Sequence, residues 1–366
     1  MIKLRKQLGG LDVFAVAAGA MISSGLFVLP ALAFAKAGPA VVLSYLFASI
    51  MIIPSVLSKA ELSTAMPRAG GTYFFVERSL GPIWGVFSGL ASWFSLALKS
   101  AFAVVGMAVL IEIVLQMALS IRLEPWHLKA IAAFCCIGFT VLNVVSVKLT
   151  SRFQVLLVGI LLAILGFFVL FGSGSVEAVR FKGFLDKGWP AVFATAGLVF
   201  ISFGGLTKVA SIAEEVKHPG RNLPFGMVMA WFVVTVFYIS VIIITVGVLD
   251  GEELTGNYAP ISMAASKFMG LPGFIILGLA AIAAFVTTAN GGILAASRSP
   301  MAMSRDQLLP SLLSRVSGRF KTPHISILLT GGFMITAIVF LELEVLVKTA
   351  STLMLILFIL VNASVL

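Results

Sequence analysis

The chain has 366 residues, of which 60% are hydrophobic and only 11% charged, where a soluble domain carries about 45–50% apolar and about 25% charged residues. That charge is too little to wet a globule of this size, so a soluble multidomain protein is excluded and an all-α membrane protein is expected. The net charge of +10 would suggest nucleic acid in a soluble chain, but here the basic residues sit in short segments between apolar runs and read as topology signals, with no nucleic acid implied.

The first run, 11–35, follows Lys3, Arg5 and Lys6. It is longer than the roughly 7–15 apolar residues of a signal peptide, and reads instead as a first membrane helix. About 20 apolar residues cross the hydrocarbon core. That length predicts ten spans, near 11–35, 39–65, 82–118, 128–147, 153–172, 190–213, 223–249, 272–300, 325–341 and 345–366. The third is too long for one straight crossing and is expected to tilt or project. Continuous apolar runs without alternation argue against a barrel. Cys135 and Cys136 are adjacent inside a run, which suits neither a disulfide framework nor a zinc site. His127, His218 and His324 fall between runs, and no cofactor or enzyme motif is present.

With a cytoplasmic N-terminus, the inside segments hold 14 basic residues and the outside segments 8. The positive-inside rule therefore favours a cytoplasmic N-terminus in a cell membrane.

Two spans carry helix-breaking sequence near their middle. In the first it is Gly19-Ala20-Met21-Ile22-Ser23-Ser24-Gly25, with Pro30 beyond; in the sixth it is Ser202-Phe203-Gly204-Gly205. Adjacent glycines invite unwinding, which lipid tolerates only where the segment lines a cavity or packs on protein. Small residues also serve close helix packing, and for either span alone the two readings stand level. Spans one and six, however, open two successive five-helix sets, 1–172 and 173–366. Interrupted helices in corresponding positions of two repeats point to a transporter's binding site. Freed N–H groups there suit a carboxylate and freed carbonyls suit an ammonium, as in an α-amino acid.

Five segments in order resemble signatures of the amino acid–polyamine–organocation transporter superfamily. They are Gly19–Pro30; Ala60-Glu61-Leu62 with Pro67-Arg68-Ala69-Gly70-Gly71-Thr72-Tyr73; Ser146-Val147-Lys148; Glu214–Pro224; and Arg298–Asp306. The resemblance implies a leucine-transporter-like fold of two inverted five-helix repeats, with discontinuous helices one and six. Members usually have twelve helices, so two C-terminal ones are expected to be absent. Carried over by position, Ser23, Ser24 and Gly25 would present N–H groups to the substrate carboxylate. Carbonyls of Met21, Ile22, Ile201 and Gly204 would face its amine, with Gly205 completing the break.

The chain also departs from the family. Many members carry a large aromatic gate on helix six; the aligned residue is Ile201, and its neighbours Phe200 and Phe203 are the aromatic candidates. Thr207 stands where an acidic or amide side chain is common. Leu161 replaces a helix-five lysine of many proton-coupled members, seven residues after Gln154. Lys208 is then a candidate coupling group or a partner of Glu214 or Glu215. Thr287 and Thr288 on helix eight are candidate sodium ligands or merely bond to their own helix. Lys59 is expected to snorkel or to pair with Glu61, while Lys99 faces either a polar interior or the headgroups.

The expected activity is secondary transport of amino acids, with the bilayer, a small-molecule substrate and a coupling ion or counter-substrate as partners. A polyamine or organic-cation carrier is the nearest alternative; it would want an acidic residue near the breaks, and none is there. An ion channel or scaffold lacks support, since no repeated selectivity segment appears.

Overall fold

The computed structural model describes residues 6, 8–67, 71–119, 122–145, 150–211, 213, 216–257, 259–318, 320 and 322–365, without the side chains of 24, 114, 117–119 and 150–154. The segment Ser146-Val147-Lys148, residues Arg68, Ala69 and Gly70, and Glu214 and Glu215 lie outside the described residues, as do Arg319 and Lys321.

The described secondary structure is helical apart from one isolated bridge, Leu8 to Val216. In chain order the helices are α1 Gly10–Met21, α2 Ser24–Phe27, α3 Leu29–Ala37, α4 Val41–Met51, α5 Ile53–Ala65, α6 Thr72–Leu80, α7 Pro82–Leu119 and α8 Pro125–Val145. There follow α9 Thr150–Gly172, α10 Gly188–Val199, α11 Leu206–Ser211, α12 Pro219–Val248, α13 Gly251–Leu254, α14 Pro260–Arg305, α15 His324–Phe340 and α16 Leu343–Ala363. Each of the ten expected spans falls on helix. Eight helical stretches among the described residues are long and apolar enough to cross a membrane; α1 and α15 are shorter apolar helices.

Burial separates centre from rim. The most apolar windows of α7 and of the α10–α11 stretch are 83% buried, against 22% for α8 and 28% for α9. The outer helices turn large apolar side chains outward, such as Phe134 and Val141 on α8, Phe167 and Leu170 on α9, and Phe232 on α12. Lipid is the solvent that such a surface requires. Helix α7, at 38 residues, is about 57 Å long at 1.5 Å per residue, so it outruns the hydrocarbon core as expected. It packs against α14 and α16, while α1 packs against α12 and α9.

Three boundaries differ from expectation. The eighth span was expected at 272–300, but α14 starts at Pro260. It is two helices joined at Gly270, whose φ of 65° and ψ of −158° form a conformation open essentially to glycine alone. The first segment, 260–269, is short and carries Ser262, Ser266 and Lys267, so it makes no apolar run of membrane length. The second span is divided into α4 and α5 just before Pro54, because a proline cannot donate into the ladder of the preceding turn. The loop after α5 contains a further helix, α6, set between Gly71 (φ 55°) and Gly81 (φ 92°). There the Tyr73 hydroxyl donates to Asp306 at 2.8 Å, joining the second and fifth signature segments. Burial and that carboxylate bond push the Tyr73 phenol up, so it stays protonated.

Candidate binding site between two broken helices

Both expected breaks are present. α1 ends at Met21 because Ile22 turns to an extended ψ of 92°. The Ser23 carbonyl then accepts the Leu26 and Phe27 N–H groups at 2.9 and 3.1 Å and starts α2. A first turn has no intrahelical acceptor for its own N–H groups, which leaves those of Ser24 and Gly25 available. In the sixth span α10 stops at Val199, tightens into a 3-10 turn over Phe200–Phe203, and resumes at Leu206 after Gly204 and Gly205.

The two breaks touch. A Cβ built on Gly25 would lie 2.8 Å from Ser202 Cβ, and one on Gly205 would lie 2.9 Å from the Met21 nitrogen. Gly204 is pressed against Met354 of α16. These glycines thus serve close packing as well as unwinding, and the two readings of the sequence merge. Met21, Ile22, Ser23, Gly25 and every residue from Phe200 to Lys208 are buried, so the breaks are closed in this conformation. Two concavities lie away from the breaks; one of about 350 Å³ is lined by Leu32, Val105, Lys129 and Leu341–Glu344.

The carbonyls do not stand free as expected. Met21 accepts the Tyr238 hydroxyl at 2.7 Å. Ile201 accepts the Lys99 ammonium at 2.9 Å and the Gly204 N–H at 3.0 Å. Gly204 accepts the Thr207 N–H at 3.2 Å. Of the four, only the Ile22 carbonyl has no donor among the described residues. Buried backbone acceptors freed from a helix find other donors, and this chain supplies them from side chains. Gly25 likewise accepts the Tyr45 hydroxyl at 2.9 Å and Ser202 Oγ at 3.4 Å. Ser351 of α16 donates to Leu198 at 2.9 Å and accepts the Ile201 N–H at 3.2 Å. The Ser23 and Thr288 hydroxyls are buried without a partner among the described residues; the Ser24 side chain is not described.

Of the aromatic candidates, Phe203 sits edge-on to Tyr238 at 5.4 Å, and Tyr238 to Tyr45 at 5.6 Å. Phe200 faces Phe358 of α16 instead, and Ile201 is buried with it. Tyr45 and Tyr238 were not anticipated. Their signal was present: two of the chain's four tyrosines lie within apolar spans, and a buried phenol needs an acceptor.

The lysines correct the expectation most. Lys59 neither snorkels nor pairs with the exposed Glu61. It is fully buried, donates to Thr207 Oγ1 at 2.8 Å, and lies 3.7 Å from the centre of the Phe358 ring. Lys99 faces the interior, at Ile201. Lys208 reaches the Thr288 carbonyl at 3.1 Å. Thr287 donates to the Ala284 carbonyl of its own helix at 2.9 Å, which leaves its oxygen lone pairs free. Leu161 is buried on α9, which packs against α1 and α14.

The amino acid permease family model matches residues 8–366. The branched-chain amino acid permease BcaP of Bacillus subtilis (strain 168) is 28% identical, over 88% of this chain and 72% of that one. The methylthioribose transporter of the same organism is 30% identical, over 90% and 73%. A crystal structure of MhsT in complex with L-phenylalanine matches with a TM-score of 0.72 at 13% identity, covering 99% of this chain and 89% of that chain. That likeness speaks to the fold, which is leucine-transporter-like. With its apolar helices, lipid-facing rim and paired breaks, the chain belongs to the amino acid permease family and is a multi-pass membrane transporter.

Proposed function

We propose that the chain is a secondary transporter whose substrate, an amino acid or a close relative, binds between the breaks of the first and sixth spans. The observation that carries this reading is the direct contact of the two breaks, Gly25 against Ser202, in the buried middle of the molecule. Such a contact must part to admit a ligand, and it sits where residues 1–172 meet residues 173–366. We take these as two inverted five-helix repeats that rock about it, with α1 and α15 counted among ten spans. The N–H groups of Ser23, Ser24 and Gly25, beside the unpartnered Ser23 hydroxyl, would hold a carboxylate. Phe203 and Tyr238 would close over it. The excess of basic residues on one side supports a cytoplasmic N-terminus in the cell membrane.

For coupling, the arrangement favours transport without sodium. Lys208 places a cation on the Thr288 carbonyl, and a sodium ion bound beside Thr288 would face that charge. The organic-cation alternative is disfavoured by the same cations. Uptake of a labelled L-amino acid mixture into proteoliposomes tests both points. Accumulation above protein-free vesicles, undiminished when choline replaces sodium, is expected. No accumulation would refute the transport reading, and loss of flux in choline would refute sodium independence.

A further inference from the structure

Lys99 on α7 reaches the break of the sixth span at Ile201, Lys59 on α5 reaches Thr207 just beyond it, and Lys208 stands on α11 beside Thr207. Their ammonium groups contact the Ile201 carbonyl, Thr207 Oγ1 and, across to α14, the Thr288 carbonyl. All three side chains are at most 5% exposed. Among the described residues none forms a salt bridge, and each makes one hydrogen bond although an ammonium has three donors. The ring of Phe358 and the C-terminal end of α10 ease two of the charges in part, but no described carboxylate does so. A cation buried without a counter-charge costs several kcal/mol. Three at or beside one break mark a place that awaits negative charge.

We infer that the site takes a substrate of net negative charge, a dicarboxylate such as an acidic amino acid, with Lys99 as the residue that pairs with its second carboxylate. Lys99 already occupies the Ile201 carbonyl, where the ammonium of a neutral or cationic amino acid would otherwise dock. A substrate amine at that carbonyl would have to displace Lys99 and face its charge. A carboxylate instead gains a charge-assisted hydrogen bond from Lys99. The orphaned hydroxyls of Ser23 and Thr288 offer further donors.

This inference rests on reading the breaks as the substrate site. Its test is thermal unfolding of the purified full-length protein with L-glutamate, L-aspartate, glutarate, L-glutamine, L-leucine and L-lysine. L-glutamate and L-aspartate should raise the midpoint, and glutamate should bind about tenfold to a hundredfold tighter than glutamine, the worth of one charged hydrogen bond. Lys99→Gln should erase most of that preference and Lys99→Arg should keep it. Stabilisation by glutarate but by no amino acid would support the anion site while contradicting amino acid transport. Glutamine, leucine or lysine stabilising better than glutamate would overturn the inference and leave the transport reading intact. No ligand acting at all would overturn both. The wild-type panel decides even if a Lys99 variant does not fold.

Discussion

At the scale of single residues, the breaks are held by side chains that a motif does not list. Tyr238 illustrates this: its hydroxyl satisfies the Met21 carbonyl at 2.7 Å, while its ring packs on Tyr45 and Phe203. Tyr238→Phe keeps the ring contacts and orphans a buried carbonyl. It should therefore cost about 1–3 kcal/mol, read as a lower unfolding midpoint in detergent; an unchanged midpoint would show that another donor takes over. The glycines, the serines and the apolar context of the site were legible in sequence, because they lie contiguously in two short segments. Lys99 and Lys59 were visible only as anomalies. Their partners, Ile201 and Thr207, are 102 and 148 residues away, and no local pattern encodes a contact of that range. The same distance explains why the carbonyls of Met21 and Ile201 looked free.

At the scale of elements, the ten apolar runs map onto helices because hydrophobic length is a local property. What composition could not reveal was where each run bends. Gly270 shows the difference: the residues on both sides are helical, yet its φ of 65° turns the chain between Pro260 and Arg305. Gly270→Ala should destabilise by about 1–3 kcal/mol, the cost of a side chain in that region. Gly278→Ala, eight residues on in the same helix and with open space at its Cβ, should be neutral or gain up to about 1 kcal/mol from helix propensity. Thermal unfolding of the two variants side by side checks the pair. Equal effects would mean that the turn at Gly270 is not required. The short helix α6 was missed for a related reason, since its nine residues carry a mixed polar pattern between two glycines with positive φ.

At the scale of the whole molecule, a central core of α1, α7 and the α10–α11 stretch is enclosed by helices whose apolar side chains face outward. The excess of basic residues in alternate segments makes a prediction of orientation: position 315 should lie in the cytoplasm. A cysteine placed there by Arg315→Cys, in a chain lacking Cys135 and Cys136, should resist a thiol reagent confined to the outside of intact cells. Labelling would reverse the topology. The account's central claim is that substrate binds where the two broken helices meet, and Ser202 stands at that contact. In the same cysteine-free background, Ser202→Cys should react with a membrane-permeant thiol reagent as the breaks part, and a saturating L-amino acid mixture should change that reaction rate severalfold. A rate untouched by the mixture, in a variant that still transports, would contradict the account.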